Sequence, residues 1–143
     1  MSRPDRQRLP IGYWLKRADD LLTARIDAAQ RENGLTRLDW QALNVVRDAG
    51  DADPAQVTAA LEPFASALEV EHALDALRQR GLLGESEGTV RLTELGSNVY
   101  DRALSSQKTV RTRAFDGIHQ DAYETTMRVL RQLVENLERD GAA

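Results

Sequence analysis

The chain has 143 residues, 41% of them hydrophobic and 29% charged, which suits one folded domain, or one plus an extension, and excludes a disordered polymer. No stretch approaches the roughly 18 consecutive apolar residues of a membrane span, and MSRPDRQRLP at the start holds no signal-peptide core, so the chain is read as cytoplasmic. The absence of cysteine excludes disulfides, thiolate metal sites and thiol redox switches, while a net charge of −4 and a pI near 5.2 leave nucleic-acid binding to a local basic patch.

Arg3, Arg6 and Arg8 form a short basic arm, opposed only by Asp5. From Ile11 the pattern is helical: Ile11, Leu15, Ala18, Leu22, Ile26 and Ala29 step by four and three, with Trp14 and Leu21 widening the stripe. Asn33-Gly34 ends this first helix, whose length suits pairing with a partner chain. Thr36 caps a second helix, with Asp39 in the capping-box position, and Trp40, Leu43 and Val46 face inward. Ala49-Gly50 ends it. Asp53 and Pro54 start a short third helix with Val57, Ala60 and Leu61 inside, and Pro63 stops it.

Ser66 then caps a fourth helix. Val70, Ala73, Leu74 and Leu77 share one face, and Gly81 follows a basic last turn containing Arg78 and Arg80. Leu82-Leu83 and Val90-Arg91-Leu92 read as two strands joined by a turn over Glu85-Ser86-Glu87-Gly88. Thr93 caps a fifth helix, partly polar, in which Arg102, Lys108, Arg111 and Arg113 have no acid between them. Asp116-Gly117 breaks it. In the last helix, about His119 to Arg139, Tyr123, Met127, Leu130, Val134 and Leu137 form a heptad-like seam. The fold class expected is mainly α: a winged helix-turn-helix in the order helix, helix, helix, helix, hairpin, helix, helix. Residues 1–34 supply an arm and a dimerisation helix, 35–93 the winged lobe and 94–143 two further dimerisation helices. Ile11, Leu15, Tyr123, Met127, Leu130, Val134 and Leu137 are the interface residues expected, because one small lobe with its own core cannot bury them all.

Three stretches resemble the multiple antibiotic resistance regulator (MarR) family of bacterial transcription regulators. They are Gly34-Leu35-Thr36 with Trp40 and Leu43, then Leu77-Arg78-Gln79-Arg80-Gly81-Leu82-Leu83, then Leu92-Thr93-Glu94-Leu95-Gly96. Together with the flanking helices they cover nearly the whole chain in order and spacing. The resemblance implies a homodimer on double-stranded DNA, with the fourth helix and the wing on an operator. It also implies a small-molecule effector between the dimer region and the DNA-binding lobe, acting by changing the spacing of the two recognition helices. The chain departs from the family in having Val57-Thr58 in the third helix, a longer turn at Glu62–Ala65, and a shorter wing without an Asp-x-Arg element.

The DNA-contacting residues expected are Ser66, Leu68, Glu69, His72, Arg78 and Arg91. Each has a plainer reading beside it. His72 reaches a base or is an ordinary surface histidine, and Arg78 meets phosphate or complements the helix C-terminus. Arg91 follows a groove or is a solvated strand residue. Leu68 touches a thymine methyl or packs into the turn, and Glu69 accepts from cytosine or repels DNA. By analogy with the family, Tyr13, Arg17, Trp40 and Tyr100 line the effector site; packing is the competing role of the aromatic ones. Between Pro54 and Thr93 six acids face three arginines, a balance of −3 that ill suits phosphate neutralisation. The alternative function is therefore a dimer of the same build that has lost strong DNA binding and serves as a ligand-binding or protein-interaction module. With only His72 and His119 and no nucleophile or phosphate-loop motif, no enzyme, metal or cofactor is expected.

Overall fold

The computed structural model describes residues 8–142, so Arg3 and Arg6 of the basic arm lie outside the described residues. In chain order the elements are α1 (Ile11–Glu32), α2 (Arg37–Ala49), α3 (Pro54–Leu61), α4 (Ala67–Gln79), β1 (Leu83–Ser86), β2 (Thr89–Leu92), α5 (Glu94–Ala114) and α6 (Gln120–Gly141). This is the winged helix order expected. Two compact units divide the chain, Met1–Arg111 and Thr112–Ala143, and each is taken by itself.

Helix starts in the first unit are set by side chains that satisfy free backbone amides. Thr36 Oγ accepts from the Asp39 amide at 3.1 Å while the Asp39 carboxylate accepts from the Thr36 amide at 3.0 Å. Asp53 and Gln56 form the same reciprocal pair at α3, with Pro54 at the first helical position, and Ser66 and Glu69 form it at α4. Thr93 caps α5 by accepting from the Gly96 amide at 3.0 Å. Gly34 and Gly81 take φ values of +75° and +76° where α1 and α4 end, a conformation an L side chain rarely adopts.

The core is built from one face of each element. Trp40, Leu43 and Val46 of α2, Val57 and Leu61 of α3, and Val70, Leu74 and Leu77 of α4 are buried with Leu82, Leu83 and Val90 of the wing. Val99, Tyr100 and Ala103 of α5 close it. Ala60, expected inside, is exposed; Val57 and Leu61, four apart, already fill the inner face of this short helix. The hairpin turn is tighter than the four residues expected. Ser86 pairs with Thr89, and Glu87 and Gly88 alone turn the chain, both with positive φ (53° and 79°), as a two-residue hairpin turn requires. Glu85 and Ser86 belong to β1. A third segment joins the wing: Ala52 exchanges two backbone hydrogen bonds with Val90, both 2.8 Å, in what the sequence presents as a plain connector.

Two close fits hold the long helices to the lobe. A Cβ on Gly96 would lie 1.9 Å from the Leu82 carbonyl oxygen, so only glycine lets α5 start so near that backbone. In α1 the single buried residue is polar: Gln30 donates its side-chain amide to the Ala103 carbonyl of α5 at 2.9 Å. Asn33 Nδ2 lies 3.3 Å from Gln30 Oε1 and donates to Ser106 Oγ at 3.0 Å.

In the second unit Gly117 (φ +77°) follows the end of α5, and His119 Nδ1 accepts from the Asp121 amide at the start of α6. Phe115 meets Tyr123 edge to face, with ring centroids 4.9 Å apart. No residue of α6 is buried.

Candidate nucleic-acid interface

Helix α4 offers one exposed stripe, made by Leu68, His72, Ala76 and Gln79 at helical spacing. Its opposite face, with Val70, Leu74 and Leu77, is locked into the core, so the stripe's direction is fixed by packing. The wing stands beside the end of α4, tied there by Arg78, which donates to Glu85 of β1 at 2.9 Å.

The expected contact residues divide by what already holds them. Leu68 and His72 are exposed. Ser66 and Glu69 are occupied as cap partners, with the Ser66 amide donating to Glu69 Oε1 at 3.1 Å and the Glu69 amide to Ser66 Oγ at 3.1 Å. Hydrogen bonds from Ser66 pull the Glu69 carboxyl below its ordinary value. Arg78 is half-buried between Asp75 and Glu85, and its guanidinium is held above its ordinary value, first by the hydrogen bond to Asp75. Arg91 lies on the exposed side of β2 with Asp51 at 3.8 Å, and Arg80 lies 3.9 Å from Asp39. All three arginines between Pro54 and Thr93 thus stand within salt-bridge distance of a carboxylate. The partners Asp51 and Asp39 are distant in sequence, and no local pattern connects them to these arginines.

The residues expected to line an effector site are not brought together at an opening. Trp40 and Tyr100 are buried and stack on each other at 5.3 Å, with the Tyr100 hydroxyl donating to Asn44 Oδ1 at 3.2 Å and the Arg47 guanidinium 5.7 Å from the Tyr100 ring centre. Here packing is their observed role. Tyr13 and Arg17 are exposed on α1, where Tyr13 meets Trp14 edge to face. An open cleft of about 760 Å³ lies elsewhere, between α1, α2 and the turn before α4. Asp19, Asp20 and Asp27 line one side, and Phe64, Ala65 and Glu69 line another. Within it Arg37 is already held by Asp27 through an Nε contact of 3.1 Å. Phe64, which the sequence places in a simple turn, is 68% exposed. Its spacing from Val57 and Leu61 is that of an inward position, so the pattern gives no sign of this exposure; α3 ends at Leu61, before that phase is carried on.

Among the expected interface residues, Ile11, Leu15, Met127, Val134 and Leu137 are exposed, and Tyr123 and Leu130 are half-buried. Among the described residues no helix is long and apolar enough to cross a membrane, and no cluster of three or more His, Asp or Glu could hold a metal.

No protein-family model and no curated protein sequence matches the chain. Solved structures do. The MarR-family protein Rv2887 of Mycobacterium tuberculosis, crystallised with DNA, aligns over 87% of this chain and 98% of its own with a TM-score of 0.75 and 20% identity. The chain has the MarR fold. The reduced form of MarR from Escherichia coli gives 0.72 at 15% identity over 87% of this chain and 93% of its own. Bordetella bronchiseptica BpsR, whose DNA binding is regulated by 6-hydroxynicotinic acid, gives 0.69 at 20% identity over 93% and 99%. On the MarR fold, α3 and α4 are the helix-turn-helix and β1–β2 the wing.

Proposed function

We propose that the chain is a homodimeric transcription regulator of MarR type, a cytoplasmic binding protein and not an enzyme, with α4 and the wing on operator DNA. The observation that carries this is the exposed stripe of α4 beside a wing strand bearing Arg91, on a fold shared with a protein crystallised on DNA. His72 and Gln79 supply hydrogen-bonding groups for base edges, and Leu68 an apolar contact for a thymine methyl. The bare apolar residues of α1 and α6 support the dimer, since the seam of α6 has no cover within its own unit. A small-molecule effector belongs to the same reading. The exposed Arg17 suits an anionic aromatic acid, whereas contact with Trp40 or Tyr100 would require the core to part.

The state of the arginines favours a second reading on a specific point. With Arg78, Arg80 and Arg91 each beside a carboxylate, few cations remain to displace counterions. The alternative is a dimer that has lost strong DNA binding and works as an interaction module. Titration of the dimer with duplexes selected from random sequence, at several salt concentrations, separates the two. A regulator gives a sequence-preferring complex with a shallow salt slope, each neutralised phosphate contributing about −0.9. Arg91→Ala then weakens all duplexes alike, and a change at His72 alters the preference among them. Absence of any preferred duplex at low salt removes the operator reading.

A further inference from the structure

Between Arg47 and Arg78 the chain carries seven acids and no lysine or arginine. This span holds the whole helix-turn-helix up to the last turn of α4. Some of its carboxylates serve as caps or ion-pair partners, but Glu62 and Glu71 are exposed and hold no ion pair among the described residues. Beside them runs an exposed apolar ridge: Ala59, Ala60, Pro63, Phe64, Ala67 and Leu68. Phe64 and Leu68, 68% and 60% exposed, are the two most exposed large apolar side chains of the lobe.

We infer that this acid-rimmed ridge docks a protein segment in which lysine or arginine stands beside apolar side chains. A duplex matches it badly, because phosphates would meet Glu62 and Glu71 while the Phe64 ring found no apolar surface to cover it. A protein segment matches on both counts. Aromatic and aliphatic anchors at the centre with opposite charges at the rim are the usual anatomy of such a contact, and complementary charge selects the partner and speeds encounter. The adjoining cleft adds room: Phe64 and Glu69 form one wall and Asp19 and Asp20 of α1 another. Although Arg31 and Arg37 also line it, Arg37 is held by Asp27, and the four carboxylates outnumber the two arginines even with Asp20 paired to Lys16. A segment seated there covers the first turn of α4. Partner and operator therefore exclude one another, and the docking itself does not require that the chain bind DNA.

The test is a selection of displayed random peptides on the purified full-length protein, run in parallel with a selection of random duplex DNA. Peptides with basic residues interleaved with leucine, isoleucine or phenylalanine should be enriched. A synthetic copy of one should bind the double variant Phe64→Ser/Leu68→Ser at least about tenfold more weakly than the unaltered protein. The charge reversal Glu62→Lys/Glu71→Lys, at exposed positions, should weaken it similarly, and titration should move the backbone amide resonances of Leu68 and Glu71. The inference is overturned if no peptide is enriched, if the enriched peptides are acidic or uncharged, or if the charge-reversed protein binds as before. It is equally overturned if only duplexes are enriched and shift those same amides. Failure of the duplex selection beside a basic, apolar peptide set supports the docking and removes the operator reading alone.

Discussion

Leu43, Val57 and Leu77 of the winged lobe have no exposed surface, whereas Val134 and Leu137 of α6 leave 52% and 62% of theirs to solvent. Both regions are amphipathic by pattern, so pattern alone does not tell a closed core from an open one. The lobe surrounds its apolar faces with three helices and a hairpin of its own, and α5 closes them. Helix α6 has a regular seam and nothing in its own unit to cover it beyond the edge of Phe115 against Tyr123. One region closes its apolar faces with its own contacts; the other presents an apolar surface that nothing in its own unit covers.

Substitution can break this contrast at either end. The largest effect expected is at the seam. If α6 forms the proposed dimer contact, glutamate at Val134 and at Leu130 would place unpaired carboxylates in it, each costing on the order of 2 kcal/mol, and two-fold symmetry would repeat the penalty. Sedimentation equilibrium at micromolar concentration should show a dimer for the unaltered chain and a monomer for the double variant. A variant that remains fully dimeric would place the interface elsewhere. Next comes the lobe itself. Gly96→Ala drives a methyl into the Leu82 carbonyl oxygen and should cost about 3 kcal/mol, read as a lowered urea midpoint; an unchanged midpoint would show that α5 does not rest on that backbone. The smallest effect sharpens the role of Glu69. Because its folded-state pKa lies below the ordinary 4.5, the stability it contributes is present above pH 4.5 and is lost as pH falls through the lower folded value. The difference in unfolding midpoint between the unaltered chain and Glu69→Gln should be constant above pH 4.5 and shrink below it. A constant difference at all pH values would mean the carboxylate has no part in the cap.

What could be read from the sequence was local. Thr36, Asp53, Ser66 and Thr93 were legible as caps because cap and partner lie within three residues, and Gly34 and Gly81 because a chain reversal at a helix end needs positive φ. The inward faces of α2 and α4 followed from period alone. What escaped was set by distant partners. The pairing of Ala52 with Val90 and the approach of Arg80 to Asp39 and of Arg91 to Asp51 depend on the folded arrangement. Trp40 and Tyr100, a ligand site by analogy with the family, stack on each other in the core, and an aromatic in a core-facing phase looks the same in either role. The site was less legible than the fold for the same reason. A helix face is a local property, but the availability of a charge depends on its neighbours in space.

Gln30 has a consequence for how α1 can be placed. A helix seated by apolar side chains alone can slide or roll with modest loss, since one methyl group replaces another. The amide of Gln30 has a direction, and moving α1 along its axis by a turn would strand that amide in a dry interior, at about 1–3 kcal/mol for a buried donor left unsatisfied, while the Ala103 carbonyl, inside α5, would keep its intrahelical bond. The residue therefore acts as a detent, fixing both the register and the azimuth of α1 on α5. In doing so it determines which side of α1 remains bare, so a single buried polar group specifies the surface that a second subunit would meet.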